Sequence, residues 1–545
     1  MRTAATMSMG RWMAIIACSM TVSCGGGSAP ASPPADTISP HVSAVSPPDA
    51  GAANLASAVT VTFDEALDCR TVAADAVVLS QAGVAIAGTT LCSGNMLTFN
   101  ATTGLPTNVA IAAVVSAAVT DVAGNHLQAD YQWSFDVDSW TVQAGTSGAD
   151  AAAASAVDAA GNVYVAGSTD SAIDGNASLG GTDALIVKFD RFGVKQWSRT
   201  FGTAADDSAL AVAVDGAGNI YVGGYTGNTY GYDLDGFVAK YDTAGNRLWV
   251  KSVHSASSVF GLPAQEMVRG LATTGDGRIV AVGYTEGGLF GVNAAPSGQA
   301  GTDLFVAEFD GDGNLLWGRQ LGTATTDNAA SVASDADGSV YLAGYTYGAL
   351  DGNVSAGGAD AIVVKWSPDG IVQWQRHLGG ADDDAAEGVA FDGAGHLYVT
   401  GRTSSVMDGT SSAGGRDAFV AQIDAASGVV SWVRQLGSPG DDIANGVVVD
   451  AAGNVVVAGA AGGALPGGAS AGGSDAFVAK FDPLGNSLWL RQAGTGGDDT
   501  GAGVSIDAAG ELFVVGTTPS AFPGLTSAGG TDLFVVKFDS DGTPR

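Results

Sequence analysis

Residues 472–489 read GGSDAFVAKFDPLGNSLW, and versions of this stretch recur from residue 140 to the end of the chain. The stretch combines an aspartate, an apolar run, a turn containing glycine, and a second run with a tryptophan. Its aspartate recurs in seven copies, at Asp183, Asp235, Asp303, Asp360, Asp417, Asp475 and Asp532. A unit that returns at a regular interval predicts a repeat architecture, in which each copy forms one supersecondary unit.

Two further elements recur in step with the first. A turn and strand of the form D-x-x-G-x-hydrophobic repeats at intervals of 57 to 61 residues, with its glycine at Gly161, Gly218, Gly277, Gly338, Gly395, Gly453 and Gly510. The tryptophan occurs in six copies only, at Trp197, Trp249, Trp317, Trp374, Trp432 and Trp489. Three elements in constant order predict about four short strands in each repeat.

The seventh tryptophan is displaced to the other end of the repeat region. After Asp532 the chain reaches Arg545 without a tryptophan, whereas Trp140 stands 57 residues before Trp197. The N-terminal strand therefore supplies what the last repeat lacks. A ring closed in this way leaves no free sheet edge, which favours a closed propeller over an open stack. We predict an all-β chain whose residues 138–545 form a seven-bladed β-propeller closed by an N-terminal strand.

The three spaced elements resemble the bacterial seven-bladed β-propeller repeat family known as SBBP, over essentially all of residues 138–545. The resemblance implies a seven-bladed fold in a cell-surface or exported protein, and it implies no common reaction. Residues 423–432, IDAASGVVSW, also resemble the tryptophan-docking repeat of quinoprotein propellers.

Residues 40–137 are predicted to form a separate β-sandwich, because short alternating runs such as residues 59–63, 95–99 and 131–135 follow one another at sandwich spacing. Residues 45–51, 61–65 and 121–125 resemble the bacterial Ig-like domains of the S-layer-associated kind. This resemblance implies a spacer or adhesive module without chemistry of its own.

The first residues of the chain have the pattern of an export signal. Arg2 and Arg11 precede the short apolar run 12–22, which predicts a signal peptide over residues 1–23. Residues 21–25, TVSCG, resemble a bacterial lipoprotein signal, which implies that Cys24 is lipidated. Ordinary secretion and an uncleaved segment are the alternatives; Cys18 fits the local pattern but has too short an apolar stretch before it. Residues 24–39 are predicted to be a flexible tether.

Cys69 and Cys92 are the two remaining cysteines of the exported chain. In an oxidising compartment, two cysteines in one domain suggest a disulfide. Two free, buried thiols are the alternative.

The charge is one-sided. The chain holds 55 acidic and 22 basic residues, a formal charge of −33. Nucleic-acid binding needs clustered Lys and Arg, so this balance argues against a nucleic-acid partner and suits cations or basic partners instead. The five histidines are scattered, and no catalytic motif occurs, so the sequence nominates no catalytic residue.

One carboxylate per blade precedes each D-x-x-G turn by about eight residues, at the start of the strand nearest the axis. These residues are Asp150, Asp207, Glu266, Asp327, Asp384, Asp442 and Asp499. We call them the acidic ring. Calcium takes several carboxylate and carbonyl oxygens, so a cation site is the functional interpretation. The alternative, which we favour, is that each carboxylate caps backbone donors at the entry to its strand or pairs with a base in the next blade.

Other repeated residues are predicted to be structural. Folding the third strand onto the fourth brings Arg199 close to Asp183, and this predicts an ion pair within most blades. The D-x-x-G aspartates bond their own turns, and the tryptophans pack between blades.

The sequence therefore predicts an exported, lipid-anchored cell-envelope protein, at the outer membrane or cell surface of a Gram-negative-type bacterium. Its propeller face would bind a protein partner, glycan or cation. A propeller enzyme with an axial site, such as a quinoprotein-like oxidoreductase or a polysaccharide lyase, is the alternative. A purely structural envelope component is the third possibility.

Overall fold

The computed structural model describes residues 36–545, except residues 50, 54–58, 103–104, 106–108, 138–139, 228–233, 257, 260–261, 292–300, 351–354, 356, 408 and 524. The predicted signal peptide, Cys24 and most of the predicted tether lie outside the described residues.

Two sheets form the N-terminal domain. The first contains, in spatial order, Val42–Ser46, Val59–Phe63, Met96–Ala101 and Gly88–Ser93; the second contains Gly51–Ala53, Tyr131–Val137, Val109–Val115, Val77–Gln81 and Val84–Ala85. Alternate residues point to the core, so Val59, Val61 and Phe63 are buried while the threonines between them are half-buried. The result is the sandwich that the alternating pattern predicts.

A disulfide joins Cys69 to Cys92, with an S–S distance of 2.00 Å. Cys92 lies in the strand Gly88–Ser93, at the edge of the first sheet. The bond therefore ties this edge strand to the turn that follows Val59–Phe63.

Seven four-stranded antiparallel sheets follow, and we number them as blades 1 to 7. In chain order their strands are Asp150–Val157, Val163–Thr169, Asp183–Phe189 and Lys195–Phe201 (blade 1); Asp207–Val214, Ile220–Gly227, Leu234–Tyr241 and Arg247–Val253 (blade 2); Glu266–Thr273, Ile279–Thr285, Asp303–Phe309 and Leu315–Leu321 (blade 3); Asp327–Ser334, Val340–Thr346, Asp360–Trp366 and Val372–Leu378 (blade 4); Asp384–Phe391, His396–Thr403, Asp417–Asp424 and Val430–Leu436 (blade 5); Asp442–Val449, Val455–Ala461, Asp475–Phe481 and Ser487–Ala493 (blade 6); Thr500–Ile506, Leu512–Thr518 and Asp532–Phe538 (blade 7). A two-stranded ribbon, Ser258–Val259 with Leu262–Pro263, lies between blades 2 and 3.

The fourth strand of blade 7 is Thr141–Ala144, which pairs antiparallel with Asp532–Phe538, so that Val142 lies opposite Val535. Trp140, just before this strand, is 1% exposed. It packs between Phe513 of blade 7 and Phe189 of blade 1, at ring-centroid distances of 5.2 and 6.5 Å. The predicted all-β fold, with seven blades closed by an N-terminal strand, is therefore confirmed.

The core of the propeller is a set of apolar layers between neighbouring blades. One such layer combines Tyr221 and Val238 of blade 2 with Val268, Ile279 and other residues of blade 3. The two faces of each sheet are covered by the two neighbouring blades. This explains why the second and third strands are almost continuous apolar runs. Among the described residues, no helix is long and apolar enough to cross a membrane.

Candidate functional site

The acidic ring is buried and bonded to its own loops. Each member is at most 1% exposed. In the six blades with an aspartate, Oδ2 accepts a hydrogen bond of 2.6 to 2.7 Å from the backbone N–H four residues earlier, at Thr146, Thr203, Thr323, Gly380, Ser438 and Thr495. In blade 3, which has an insertion before its first strand, Glu266 instead accepts from the hydroxyls of Ser255 and Thr285 at 2.8 and 2.7 Å. These carboxylates hold the loop that leads from one blade into the next.

The third-strand aspartates stand beside the ring. A Cβ on Gly145 would lie 2.1 Å from Oδ1 of Asp532 and 2.9 Å from Oδ2 of Asp150, so both carboxylates close around one glycine. Burial raises the pKa of Asp150, and the charge of Asp532 adds to the increase. Burial likewise raises the pKa of five other ring members, Asp207, Glu266, Asp327, Asp384 and Asp442.

This geometry supports a structural role for the ring. A calcium ion needs several oxygens within reach of one centre, whereas every ring member uses at least one carboxylate oxygen to accept hydrogen bonds from protein N–H or O–H groups. One oxygen each of Asp150, Glu266 and Asp384 has no hydrogen-bond partner among the described residues. Within the described part of the chain, the one group of three acidic, histidine or cysteine ligands close enough to share an ion is Asp36, Glu65 and Asp121, in the Ig-like domain. There, both oxygens of Asp121 already accept hydrogen bonds of 2.8 Å from Asn125. Calcium binding by the ring stays a prediction.

The predicted ion pair between Asp183 and Arg199 is wrong. The strand register places Arg199 opposite Ile186, three residues from Asp183. The Asp183 carboxylate accepts the N–H of Leu179 at 2.9 Å, and Arg199 reaches the next blade instead, where it donates to the carbonyls of Gly245 and Ala244 at 2.8 and 3.1 Å.

In blades 1, 4, 5 and 6, the arginine and the tryptophan of the outer strand both donate hydrogen bonds to carbonyls in the outer turn of the next blade. Trp197 Nε1 donates to the carbonyl of Thr243 at 3.3 Å, beside the contacts of Arg199. The closing residue Trp140 repeats this contact on blade 1 through the carbonyl of Arg191 at 3.1 Å. Gly193 lies against the Trp140 ring with φ +78°, where a Cβ would be both strained and 2.8 Å from the indole. The tryptophans thus join blades, as predicted.

The D-x-x-G aspartates lie at the opposite ends of the first strands and bond their turns. Asp158 accepts from the backbone N–H groups of Ala160 and Asn162, from the Asn162 amide and from the Tyr164 hydroxyl, all at 2.7 to 2.9 Å. Burial works to raise the pKa of Asp158, but these hydrogen bonds outweigh it and lower the pKa. Turn chemistry accounts for this face.

Side chains that differ from blade to blade lie near the axis of the propeller. Every first strand carries a β-bulge, and the bulged residues line an axial cavity of about 470 Å³. From blade 1 to blade 7 these residues are Ala153, Leu210, Arg269, Ala330, Glu387, Asn445 and Ala502. A bulge re-aims a side chain, and here it presents one residue of each blade to the cavity. Three of the seven are polar.

Glu387 stands between two arginines. Nη1 of Arg402, on the second strand of the same blade, donates to Oε1 of Glu387 at 2.8 Å. Nη2 of Arg269 lies 3.8 Å from Oε2, across the small residue Ala330 of the intervening blade. The Arg269 and Glu387 side chains are 34% and 11% exposed. An ion-pair network therefore crosses the axial cavity from blade 3 to blade 5.

Three tyrosines lie on the second strands, one step toward the acidic ring. Tyr225, Tyr284 and Tyr345 occupy the position that Arg402 has in blade 5, and each is half-buried. Burial raises the pKa of Tyr284, and the charge of Arg269 opposes this increase. In blades 1, 6 and 7 the same position holds Ser168, Ala460 and Thr517. At this position of the second strand, large polar side chains therefore occur in blades 2 to 5.

Sequence reasoning missed Arg269, Glu387, Asn445 and Arg402. A signal was present, since the third residue after each ring member reads Ala, Leu, Arg, Ala, Glu, Asn, Ala through the seven repeats. When one position of a repeat holds a small residue in most copies and a polar residue in a few, those few copies do not need that position for the shared structural role.

The family comparisons divide the chain at the same place as the sheets. Residues 36–137 match the family model described as a bacterial Ig-like domain, and residues 316–350 match the SBBP model, described as a beta-propeller repeat. Residues 36–137 are therefore a bacterial Ig-like domain, and one segment of the propeller is similar to the SBBP repeat. The matched SBBP segment runs from the outer strand of blade 3 through the first two strands of blade 4.

This chain spans less than half the length of the curated relatives that it matches. Regulatory protein FlaEY of Caulobacter vibrioides is 27% identical over 394 residues, covering 64% of this chain and 40% of that protein. An uncharacterized WD repeat-containing protein, L264, of Acanthamoeba polyphaga mimivirus is 21% identical over 405 residues, covering 62% of this chain and 26% of that protein.

Solved structures similar to this chain include the Pan2 WD40 domain of Neurospora crassa, with 12% identity, a TM-score of 0.40, and coverage of 70% of this chain and 88% of that one. Puromycin hydrolase has 14% identity and a TM-score of 0.44, with coverage of 73% and 54%.

Proposed function

We propose that this protein is an exported cell-envelope binding protein, lipid-anchored through Cys24, that binds a small ligand in the axial cavity of its propeller. The Ig-like domain acts as the spacer between the anchor and the propeller. The tether and the lipid place the protein at the outer membrane or cell surface.

The observation that carries the binding role is the non-repeated polar cluster on the axis. Arg269, Glu387 and Asn445 project from three bulges into a cavity of about 470 Å³, where other blades have Ala or Leu. Cavities of roughly 300 to 1,000 Å³ with a few convergent polar groups are typical small-molecule sites. A purely structural ring has no need of these departures, because the loops, turns and tryptophans already join the blades.

Export is supported by the cysteines. The disulfide between Cys69 and Cys92 is of the kind that persists outside the reducing cytosol. The resemblance of residues 21–25 to a lipoprotein signal supports the lipid anchor.

Anchoring gives the first prediction. Replacing Cys24 by serine should move the protein from the membrane fraction to the soluble exported fraction, because one lipid-modified residue holds it. Fractionation of cells that express the variant, followed by immunoblotting, measures this. Cys18→Ser is the matched control and should stay with the membrane. A Cys24→Ser protein that remains membrane-bound would overturn the anchor.

The axial site gives the second prediction. Ala330→Trp places an indole in the cavity and should abolish the thermal stabilisation caused by the ligand. A ligand at about 100 times its Kd stabilises a protein by about 2.7 kcal/mol, which a thermal-shift screen of neutral and acidic sugars detects. Val250→Trp, on the exposed outer strand of blade 2, is the matched control and should keep the shift. Equal shifts in wild type and Ala330→Trp would exclude the cavity as the site.

The alternative is a propeller enzyme, such as a quinoprotein-like oxidoreductase or a polysaccharide lyase, acting in the same cavity. Convergent non-repeated polar groups favour it. We prefer binding because no histidine lines the cavity beside its two serines, Ser155 and Ser331, and because its carboxylate, Glu387, already accepts a hydrogen bond from Arg402. Turnover of a polysaccharide or of an alcohol with an artificial electron acceptor, lost in Ala330→Trp, would favour the enzyme.

A further inference from the structure

The charged cluster at the axial cavity has an excess of arginine. Arg269 and Glu387 are the charged residues that line the cavity, and their charges cancel. Arg402, which bonds to Glu387 without lining the cavity, leaves the cluster of three with one positive charge. The acidic ring begins each first strand three residues earlier, which is roughly 10 Å away along the strand. An anion in the cavity would therefore be held by direct contact with an arginine, and not by the summed field of the protein, to which the acidic ring contributes negative charge.

Arg269 has unused hydrogen-bonding capacity. A guanidinium offers five N–H donors in a planar fork. Among the described residues, the ion contact of Arg269 is to Glu387 at 3.8 Å, which is too long for a hydrogen bond. Its side chain is 34% exposed, and the residue lines the cavity. A planar donor fork that faces a cavity matches a carboxylate, which it can bind through two parallel hydrogen bonds.

Glu387 adds a requirement for donors on the ligand. Its Oε1 accepts from Arg402, whereas Oε2 lies 3.8 Å from Arg269 and is able to accept a further hydrogen bond. Asn445 donates through Nδ2 to the carbonyl of Gly501 at 2.8 Å, which leaves its Oδ1 as a second acceptor. A ligand that satisfies these acceptors carries hydroxyl groups as well as a negative charge.

We propose that the axial cavity binds a hydroxylated carboxylate of the size of one acidic sugar. Arg269 holds the carboxylate by a two-point contact, Arg402 contributes the second positive charge, and Glu387 accepts a hydrogen bond from a sugar hydroxyl. This inference rests on the proposed binding function and names the chemical class of its ligand. The cavity volume of about 470 Å³ suits a molecule of this size and excludes a folded partner from the axis.

Titration calorimetry of the full-length exported protein with D-glucuronate tests this inference, with D-glucose as the neutral comparison. We expect glucuronate to bind and glucose to bind at least tenfold more weakly, because glucose lacks the carboxylate. Arg269→Ala should weaken glucuronate binding at least tenfold. Arg247→Ala, on the outer strand of blade 2, removes the same charge from the rim and should leave the affinity unchanged.

Two further variants keep the test sharp. Arg269→Lys retains the positive charge and loses the planar fork. The variant should fold, and it should bind glucuronate severalfold more weakly than wild type. Glu387→Gln should weaken glucuronate binding without weakening that of acetate, which has no hydroxyl.

Three results would overturn the inference: glucose binding as tightly as glucuronate, acetate binding as tightly as glucuronate, or unchanged affinity in both Arg269 variants. If a neutral sugar binds to wild type as tightly as glucuronate and does not bind to Ala330→Trp, the proposed carboxylate ligand is refuted, but the axial binding function stands. Absence of any sugar-dependent thermal shift in wild type would refute both.

Discussion

Replacing Trp140 by alanine should lower the free energy of unfolding of the propeller by about 4 kcal/mol, the usual cost of truncating a buried aromatic side chain. Trp140 packs between Phe513 of blade 7 and Phe189 of blade 1, and its indole donates to the carbonyl of Arg191. Its backbone N–H also bonds to the carbonyl of Arg545 at 2.9 Å. The variant thus loosens the contact that closes the ring.

Chemical denaturation measures this loss. Trp140→Phe is the matched control, because it retains most of the apolar burial and loses the bond to Arg191, and we expect it to cost about 1 kcal/mol. The unfolding transition of the Ig-like domain should not change in either variant. A loss below about 1 kcal/mol in Trp140→Ala would mean that ring closure does not depend on this residue.

Removing one carboxylate of the acidic ring should have a similarly large effect. Asp327 accepts hydrogen bonds from the backbone N–H and the hydroxyl of Thr323 at 2.6 and 2.9 Å, and from the hydroxyl of Thr346. Asp327→Ala leaves these buried donors without an acceptor, at about 1 to 3 kcal/mol each, so we expect a total loss of about 4 kcal/mol. Denaturation of the variant and wild type measures it.

The matched control is Asp337→Ala, an exposed aspartate of the same repeat, which should change stability by less than about 0.5 kcal/mol. Asp327→Asn retains a carbonyl acceptor and should lose much less than Asp327→Ala. If Asn and Ala were equally destabilising, the negative charge itself, and hence a bound cation, would become the better explanation of the ring.

The pH dependence of stability follows from the same burial. Because burial raises the folded-state pKa of Asp327 above its ordinary value of 3.8, its contribution to stability is complete below 3.8 and is lost as the pH rises through the folded-state pKa. Wild-type stability should therefore fall relative to that of Asp327→Asn as the pH rises above 3.8. The lowered pKa of Asp158 acts in the opposite sense, and its contribution is lost only as the pH falls below 3.8.

Ring closure could be predicted from the sequence because it depends on counting. Seven aspartates and six tryptophans in register, with Trp140 one interval ahead of Trp197, permit one arrangement without an open sheet edge. The aspartates of the D-x-x-G turns were equally predictable, because their partners lie within six residues along the chain.

The partner of Arg199 was not predictable in the same way. Proximity across a hairpin suggested Asp183, but Arg199 lies opposite Ile186 and bonds to the neighbouring blade; an irregular step in the pairing, between Lys188 and Phe189, contributes one residue of this offset. An irregularity of this kind depends on how the turn packs, and the residue pattern of a single hairpin does not encode it.

The axial cluster of Arg269, Glu387 and Arg402 separates what the sequence determines from what the tertiary structure determines. The sequence by itself determined the number of blades, their closure and the location of the turns, because these follow from local periodicity and from the need to pair every sheet edge. Only the tertiary structure brought Arg269, Glu387 and Arg402 together, since residues 118 positions apart meet across the axis when bulges on separate blades aim them into one cavity.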